Sequence, residues 1–324
     1  MLISLGIEST SHTMGVGIAT ENGKILANEI SVYTPPIGKG IIPREAANFH
    51  AENAKNVLQR ALIKSKLTMN DIGIISVALG AGMPPCLRIG AILARSLALK
   101  YNKPLIPVCH QIAHIEIGKL MTESKDPVVL YLSGGNTQVI AFTEGRYRVF
   151  GETQDIPIGN ALDTLARGLK LEMPGGPKIE SLAKNGKYIE LPYVVKGMDL
   201  SFAGLVTEAV KEYKKGAKAE DIAYSFQETC FAMLTEVTER AVAHTDKEEV
   251  LLVGGVAANK RLQEMLKIMC EERRAKFFAV PQEYAGDNGV NIAWTGILAY
   301  QKGYEIPIEN SQIKQKWRVD EVEW

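Results

Sequence analysis

The 324-residue chain is short of the features that assign a protein quickly. It has only four cysteines, Cys86, Cys109, Cys230 and Cys270, widely scattered and without a CxxC pair. That excludes a disulfide framework and fits reduced, buried thiols in a cytosolic protein. No stretch approaches the roughly 20 apolar residues of a membrane helix, and the start, MLISLGIESTSH, has no basic segment ahead of a long apolar core. The expected place is therefore the cytoplasm, with no membrane partner. Neither charge predominates: 37 basic residues stand against 37 acidic ones. Nothing global draws the chain to nucleic acid, so a polyanion would have to be held by local patches or with help from another subunit. The GxxxxGKS spacing of a P-loop and the GxGxxG of a dinucleotide fold are also missing, and there is no low-complexity segment. What is present is ordinary for a soluble globular protein: 46% hydrophobic and 23% charged residues, over a length that exceeds the usual single core and implies two domains.

One pattern occurs twice. LISLGIE at residues 2–8 reads as a strand, MGVGIAT as a second, and Asn22-Gly23 as a hairpin turn before KILANEI. Residues 128–151 repeat the plan: VVLYLS, the loop GGN, TQVIAF, the turn Glu144-Gly145, then RYRVFG. TMGVGIATENGKIL and TQVIAFTEGRYRV can be laid over each other with one gap, which indicates a duplicated domain. After the first meander the periodicity predicts a helix over 44–66, the strand IGIISVAL, a helix over 87–101, the strand PLIPVC and a helix over 110–122. After the second it predicts helices near 159–170, 177–185, 201–214 and 219–244. Then follow EVLLVGG, a helix over 259–273, KFFAVP and a last helix over about 288–301. Strands alternating with helices imply an α/β fold with a mixed sheet covered on both faces. The domains are expected at 1–126 and 127–289, with the helix and tail of 290–324 packing back on the first.

Glycines crowd the ends of the strands: Gly6, Gly134 and Gly135 in LSGGNT, Gly175 and Gly176 in MPGGP, Gly254 and Gly255 in LLVGGVAAN, Gly286 and Gly289 in AGDNG. Lacking Cβ, such residues let backbone amides approach an anion closely; each alone is equally a tight turn. As a set in a duplicated α/β chain they have the form of the actin, sugar kinase and chaperone-ATPase superfold, in which two domains close over a nucleotide. VCHQIAHIEIG places His110 and His114 four residues apart on one helix face, close enough to chelate one cation. HQIAH is not HExxH, so a zincin would lack its general base. Tyr131 and Asp287 stand beside glycine loops, and two histidines completed by such oxygen donors suit iron or zinc. The plainer alternative is a pair of hydrogen-bonded, inert imidazoles at a helix start. His12 and His50 have no evident partner, His244 ends a helix, and Glu8 either caps its loop or serves a polar role in the cleft.

The motifs LGIESTSHT, IIPREAANFH, GAGMPPCLRIG, HQIAHIEIG, YLSGGNTQV, GNALDTLAR, MPGGPKIE, SFAGL, GGVAANKRL and AGDNGVNIAW stand in one order over nearly the whole chain. In that order the chain resembles the Kae/Gcp/TsaD family, tRNA threonylcarbamoyladenosine synthases, and through PREAA its archaeal and eukaryotic branch, which works in the KEOPS complex. The resemblance implies the duplicated actin-like ATPase (ASKHA) fold. It implies transfer of threonylcarbamoyl from threonylcarbamoyl-AMP to the adenosine 3′ of the anticodon in tRNAs reading ANN codons. It also implies one Fe or Zn ion on His110, His114, Tyr131 and Asp287, with imidazoles from the first domain and the carboxylate from the second. Tyr131, Leu132, Ser133, Gly134 and Gly135 would wrap the adenylate phosphate, and Asp163, Gly176, Glu180 and Asn259 would hold ribose and adenine. The same cleft would accept ATP, with or without Mg²⁺. Implied partners are tRNA, a small Bud-type kinase, a dimerising small subunit and a small subunit associated with the kinase. Candidate tRNA patches are Lys211, Lys214, Lys215 and Lys218, and Lys314, Lys316 and Arg318; residues 46–66 are a candidate docking helix that packing on its own sheet explains equally well. A small-molecule kinase of the same superfold, a metalloprotease and a nucleotide-gated binding module are the rival readings; the kinase gives His110 and His114 no task.

Overall fold

The computed structural model describes residues 1–36 and 40–324, and its first three strands, β1 (Ile3–Glu8), β2 (Thr13–Thr20) and β3 (Ile25–Val32), form the first meander. The turn between β2 and β3 holds Gly23 at φ +79°, which an L side chain rarely adopts. Helix α1 (Pro43–Ser65) starts on a proline, as does α2 (Pro84–Tyr101), because the missing N–H of proline costs nothing in a first turn. The second helix therefore begins three residues before the apolar periodicity does. Between them runs β4 (Ile74–Gly80), and after them β5 (Leu105–Cys109) and α3 (His110–Thr122). The sheet order is β3-β2-β1-β4-β5, with β1, β4 and β5 parallel.

The second set repeats this topology. β6 (Val128–Leu132), β7 (Thr137–Thr143) and β8 (Arg146–Glu152) make the meander; α4 (Ile158–Gly168) and α5 (Gly175–Ala183) follow. A short ribbon of β9 (Val195–Lys196) and β10 (Asp199–Leu200), too brief to leave a periodic signal, precedes α6 (Ala203–Lys214) and α7 (Ala219–Thr245). Then come β11 (Glu249–Val253), α8 (Lys260–Glu272), β12 (Lys276–Ala279), the single turn α9 (Gln282–Ala285) and α10 (Gly289–Gln301). The order β12-β11-β6-β7-β8 is the first sheet's order strand for strand, with β6, β11 and β12 parallel. The α/β duplication read from the sequence is the observed architecture.

The chain divides into one unit of Met1–Leu120 with Gly286–Trp324 and another of Met121–Ala285. The expected divisions at 126/127 and 289/290 thus fall at 120/121 and 285/286, and Asp287 lies in the first unit rather than the second. The cause is α10, which packs on β1, β2 and β4. Gly6 and Gly17 are cross-strand partners, and a Cβ on either would lie 2.2 Å from the Ala293 amide nitrogen or 2.1 Å from that of Val290. A Cβ on Gly289 would in turn meet the Gly17 nitrogen at 2.1 Å. Helix backbone rests on strand backbone here. Gly6 and Gly289, read in the sequence as possible anion-loop residues, are packing residues. Val290, Ile292 and Ile297 are fully buried on the helix, each stabilising the docking by about 1.5–3 kcal/mol. Beyond it the tail runs along the first sheet: the Ile306 amide donates to the Leu105 carbonyl (3.1 Å) and the Lys314 amide to that of Leu79 (2.7 Å). No helix among the described residues is long and apolar enough to cross a membrane.

Candidate metal centre and nucleotide loops

In the first unit the chemistry gathers at the carboxyl ends of the parallel strands, where α/β sheets hold their ligands. β5 passes into α3 without a linker, so His110 is the first helical residue and His114 stands one turn on. Their rings lie edge to face with centroids 4.7 Å apart. The third group arrives on α10. Asn288 caps that helix, its side-chain oxygen accepting from the amides of Val290 (3.1 Å) and Asn291 (3.2 Å), and this fixes Asp287 just ahead of the positive helix end. Asp287 Oδ1 is 3.3 Å from His114 Nε2 and 3.5 Å from His110 Nε2. Among the described residues His110, His114 and Asp287 form a metal-compatible cluster, with ligand atoms within 4.8 Å of one another.

The donor spacing fits a metal ion. Zinc at 2.0–2.1 Å from tetrahedral N and O ligands keeps those ligands about 3.3 Å apart, close to the two carboxylate–imidazole separations. Both imidazoles are buried, while Asp287 keeps 16% of its side chain exposed. Burial by itself would raise the Asp287 carboxyl, but hydrogen bonding and charge from His110, then His114, outweigh it and hold the group well below the usual carboxylate range. Burial pushes His114 down, with Asp287 opposing, so its ring favours the neutral form that binds metals. Glu8, at the end of β1, is 1% exposed, and its sequence reading stands open between a loop cap and a polar role in the cleft. Its Oε2 lies 2.9 Å from His110 Nδ1, and its Oε1 accepts from the Thr10 amide and hydroxyl, both at 2.5 Å. Its loop-capping role is therefore real, and it also touches a candidate ligand. His50 is buried below this loop and donates from Nε2 to the Ser11 carbonyl (2.9 Å), which is a structural task.

In the second unit, Tyr131 and Leu132 close β6 as fully buried residues. Ser133 forms the turn that follows: its hydroxyl accepts from the amides of Gly135 (3.2 Å) and Asn136 (3.0 Å). A Cβ at Gly134, Gly135 or Gly255 would meet nothing within 4 Å, and none of the three has positive φ. Neither packing nor backbone strain demands glycine there, in contrast to Gly254, whose φ is +93° and whose Cβ would meet the Leu132 carbonyl oxygen at 2.2 Å. Gly175 is likewise a packing residue against Ala166 and Asp163, while Gly176 has room. Asp163 Oδ1 accepts from the Gly175 amide (2.8 Å) at the start of α5, and Glu180 Oε1 from the Lys260 amide (2.8 Å) at the start of α8. Asn259 caps α8 through the Leu262 amide (3.1 Å) and donates to Gln227 (3.1 Å). Gly176 and Asn259 thus sit at helix starts, and Asp163 and Glu180 reach from within α4 and α5 to the first amides of α5 and α8. Gln227 joins them through a hydrogen bond, and no sequence motif singles it out.

The cationic patches are modest. Lys211 and Lys215 pair with Glu208 (3.0 Å) and Glu212 (2.5 Å), three residues back on α6. The Lys314 amine lies over the Trp317 ring at 4.4 Å, and Arg318 pairs with Asp320 at 3.1 Å. The buried stripe of α1, including Ala46, Ala54, Val57 and Ala61, serves its own unit, and Ile63 is exposed on the opposite face.

A sequence profile of the TsaD family, described as tRNA N6-adenosine threonylcarbamoyltransferase, matches residues 24–294. The chain is 59% identical over 324 residues to the tRNA N6-adenosine threonylcarbamoyltransferase of Thermococcus kodakarensis, covering 99% of each chain. It is 52% identical over 323 residues to a probable bifunctional tRNA threonylcarbamoyladenosine biosynthesis protein of Methanocaldococcus jannaschii, covering 99% of this chain and 60% of that one. Among solved structures, HypF of T. kodakarensis shares the fold with a TM-score of 0.65 at 20% identity, over 93% of this chain and 48% of that one.

Proposed function

The chain belongs to the TsaD family of tRNA N6-adenosine threonylcarbamoyltransferases, and from that membership and its two sites we propose the following reaction and division of labour. It transfers a threonylcarbamoyl group from threonylcarbamoyl-AMP to the adenosine 3′ of the anticodon in tRNAs that read ANN codons. The exocyclic N6 bonds to the carbamoyl carbon as the bond from that carbon to the phosphate oxygen breaks; AMP departs with the electron pair, and N6 loses a proton. The donor is a mixed anhydride and already activated. The protein therefore has to hold it, keep water away and meet the charge that develops.

His110, His114 and Asp287 hold one iron or zinc ion, which when bound acts as a Lewis acid toward substrate oxygens. Tyr131, Leu132, Ser133, Gly134 and Gly135 receive the adenylate phosphate, the open glycines allowing amides to approach the anion. Asp163, Gly176, Glu180 and Asn259 position ribose and adenine, carboxylates being suited to accept from the ribose hydroxyls. The same loops accept ATP. The work is done in the cytoplasm with KEOPS-type partners: a small Bud-type kinase, a dimerising small subunit and a small subunit bound to that kinase. They supply part of the tRNA contact that a chain of zero net formal charge lacks.

The observation that carries this reading is the convergence of two imidazoles and one carboxylate at zinc-like spacing in a chain 59% identical to a named transferase. The test supplies purified chain, its partners, threonylcarbamoyl-AMP and unmodified tRNA, and follows the modified nucleoside by mass spectrometry. Metal-loaded protein should produce it and chelated protein should not. Equal product from both would remove the metal, and none from either would remove the transferase reading.

A further inference from the structure

We propose that Glu8 is a positioning residue: it keeps a proton on His110 Nδ1, which turns His110 Nε2 toward the metal position. The inference rests on the metal reading above and adds the residue that orients its first ligand. Glu8 Oε2 accepts only, so the 2.9 Å contact with Nδ1 requires the proton on that nitrogen. The other carboxylate oxygen is held by the Thr10 amide and hydroxyl, which stops Glu8 from rotating away. On the far side of the same ring, Nε2 faces Asp287 Oδ1 at 3.5 Å. With Nδ1 turned to Glu8, Nε2 is the nitrogen presented to a cation beside Asp287, and the same arrangement of carboxylate, imidazole and metal raises ligand basicity at many metal centres. Threonine hydroxyl, glutamate and imidazole thus form one chain from the β1–β2 loop to the metal position. The strand placement brings the pair together: β1 and β5 are both parallel neighbours of β4.

Two measurements on the full chain decide it. In ¹⁵N-histidine-labelled protein, His110 should show an Nδ1 proton protected from exchange, lost in Glu8→Ala. Zinc affinity, read by competition with a chromophoric chelator, should fall about 10–100-fold in Glu8→Ala, with Glu8→Gln recovering most of it because the amide oxygen still accepts. The Thr10 hydroxyl braces Glu8 and also lies 3.4 Å from His110 Nδ1, farther than the 2.9 Å of Glu8 Oε2; Thr10→Val removes both contacts of that hydroxyl and should bind zinc within about threefold of the parent. The proposal is overturned by a protected Nδ1 proton that survives Glu8→Ala, or by unchanged zinc affinity in that variant. It is equally overturned by Thr10→Val losing as much affinity as Glu8→Ala, which would make the loop rather than Glu8 the group that orients His110. Should Glu8→Ala fail to fold, Glu8→Leu, of similar size but without an acceptor, takes its place and should lose both the protected Nδ1 proton and about the same 10–100-fold in zinc affinity. A parent chain that binds no zinc sinks the metal reading, and the Nδ1 proton still decides Glu8's hold on His110.

Discussion

The two units share one strand order and one arrangement of parallel strands, yet the carboxyl ends of those strands carry opposite chemistry. In the first, the end of β1, the first turn of α3 and the residue ahead of the α10 cap present Glu8, His110, His114 and Asp287, charged or titratable groups packed among themselves. In the second, the loops after β6 and β11 present Gly134, Gly135 and Gly255, with no side chain and with room above the backbone. One end suits a small cation held by side chains; the other suits an anion met by amides. Duplication thus supplies two equivalent platforms, and what each binds depends on the few residues just past the strand ends. The glycines divide in the same way. Gly6 and Gly17 of the first unit are there so that a helix can lie on strands, whereas Gly134, Gly135 and Gly255 of the second leave open space.

Four experiments sharpen or break this contrast, from the largest expected effect to the smallest. His110→Ala and Asp287→Ala should each lower tRNA modification by on the order of 10³-fold while circular dichroism stays native, since a Lewis acid supplies several kcal/mol of charge stabilisation and both residues lie at the sheet edge. Activity near that of the parent would make the cluster structural.

Gly6→Ala and Gly17→Ala should destabilise the first unit by roughly 3 kcal/mol in chemical denaturation, the upper range for overpacking, because the clash is with backbone that cannot rotate away. Gly134→Ala should change stability by less than about 0.5 kcal/mol and instead weaken adenylate binding. Equal stability losses at all three positions would erase the distinction between packing and ligand glycines.

His50 gives a smaller, pH-dependent effect. Burial lowers its pKa, outweighing the bond to Ser11, so the folded state favours the neutral ring. Between the lowered folded value and the ordinary 6.5 the unfolded chain binds more protons. The stability this group contributes is full above about pH 6.5 and is lost as pH falls through the folded pKa, by at most about 1.4 kcal/mol per pH unit. His50→Gln, which keeps a donor for the Ser11 carbonyl, should flatten the dependence measured by thermal melting below pH 6.5. An unchanged slope would show that His114, shifted in the same direction, carries the acid sensitivity instead.

The smallest effect concerns the α6 lysines. Two of them are already paired with glutamates, so neutralising Lys211, Lys214 and Lys215 together should reduce the salt slope of tRNA binding by about 1 rather than 3. A drop near 3 would make this face a principal tRNA contact.

Much of the site was legible before any coordinates. His110 and His114 follow from spacing on a helix whose bounds, 110–122, the periodicity predicts, and the LSGGN loop follows from its place in a repeated meander. Asp287 was legible as a donor but not as a member of the first unit, because a domain boundary read along the chain cannot show that a helix returns to an earlier sheet. Glu8 was visible only as a polar residue at a strand end; its contact with His110 spans 102 positions. Gln227 left no signal, being one polar residue among several on a long helix.

By itself the sequence determined the elements, the duplication, the glycine loops and the family, because all of these are written in local periodicity and in ordered short motifs. Only the tertiary structure decided which glycines exist for packing, that Asp287 joins the histidines from the same unit, and that Glu8 stands behind His110. Those facts depend on distances between residues far apart in the chain, which backbone docking fixes and no local pattern records.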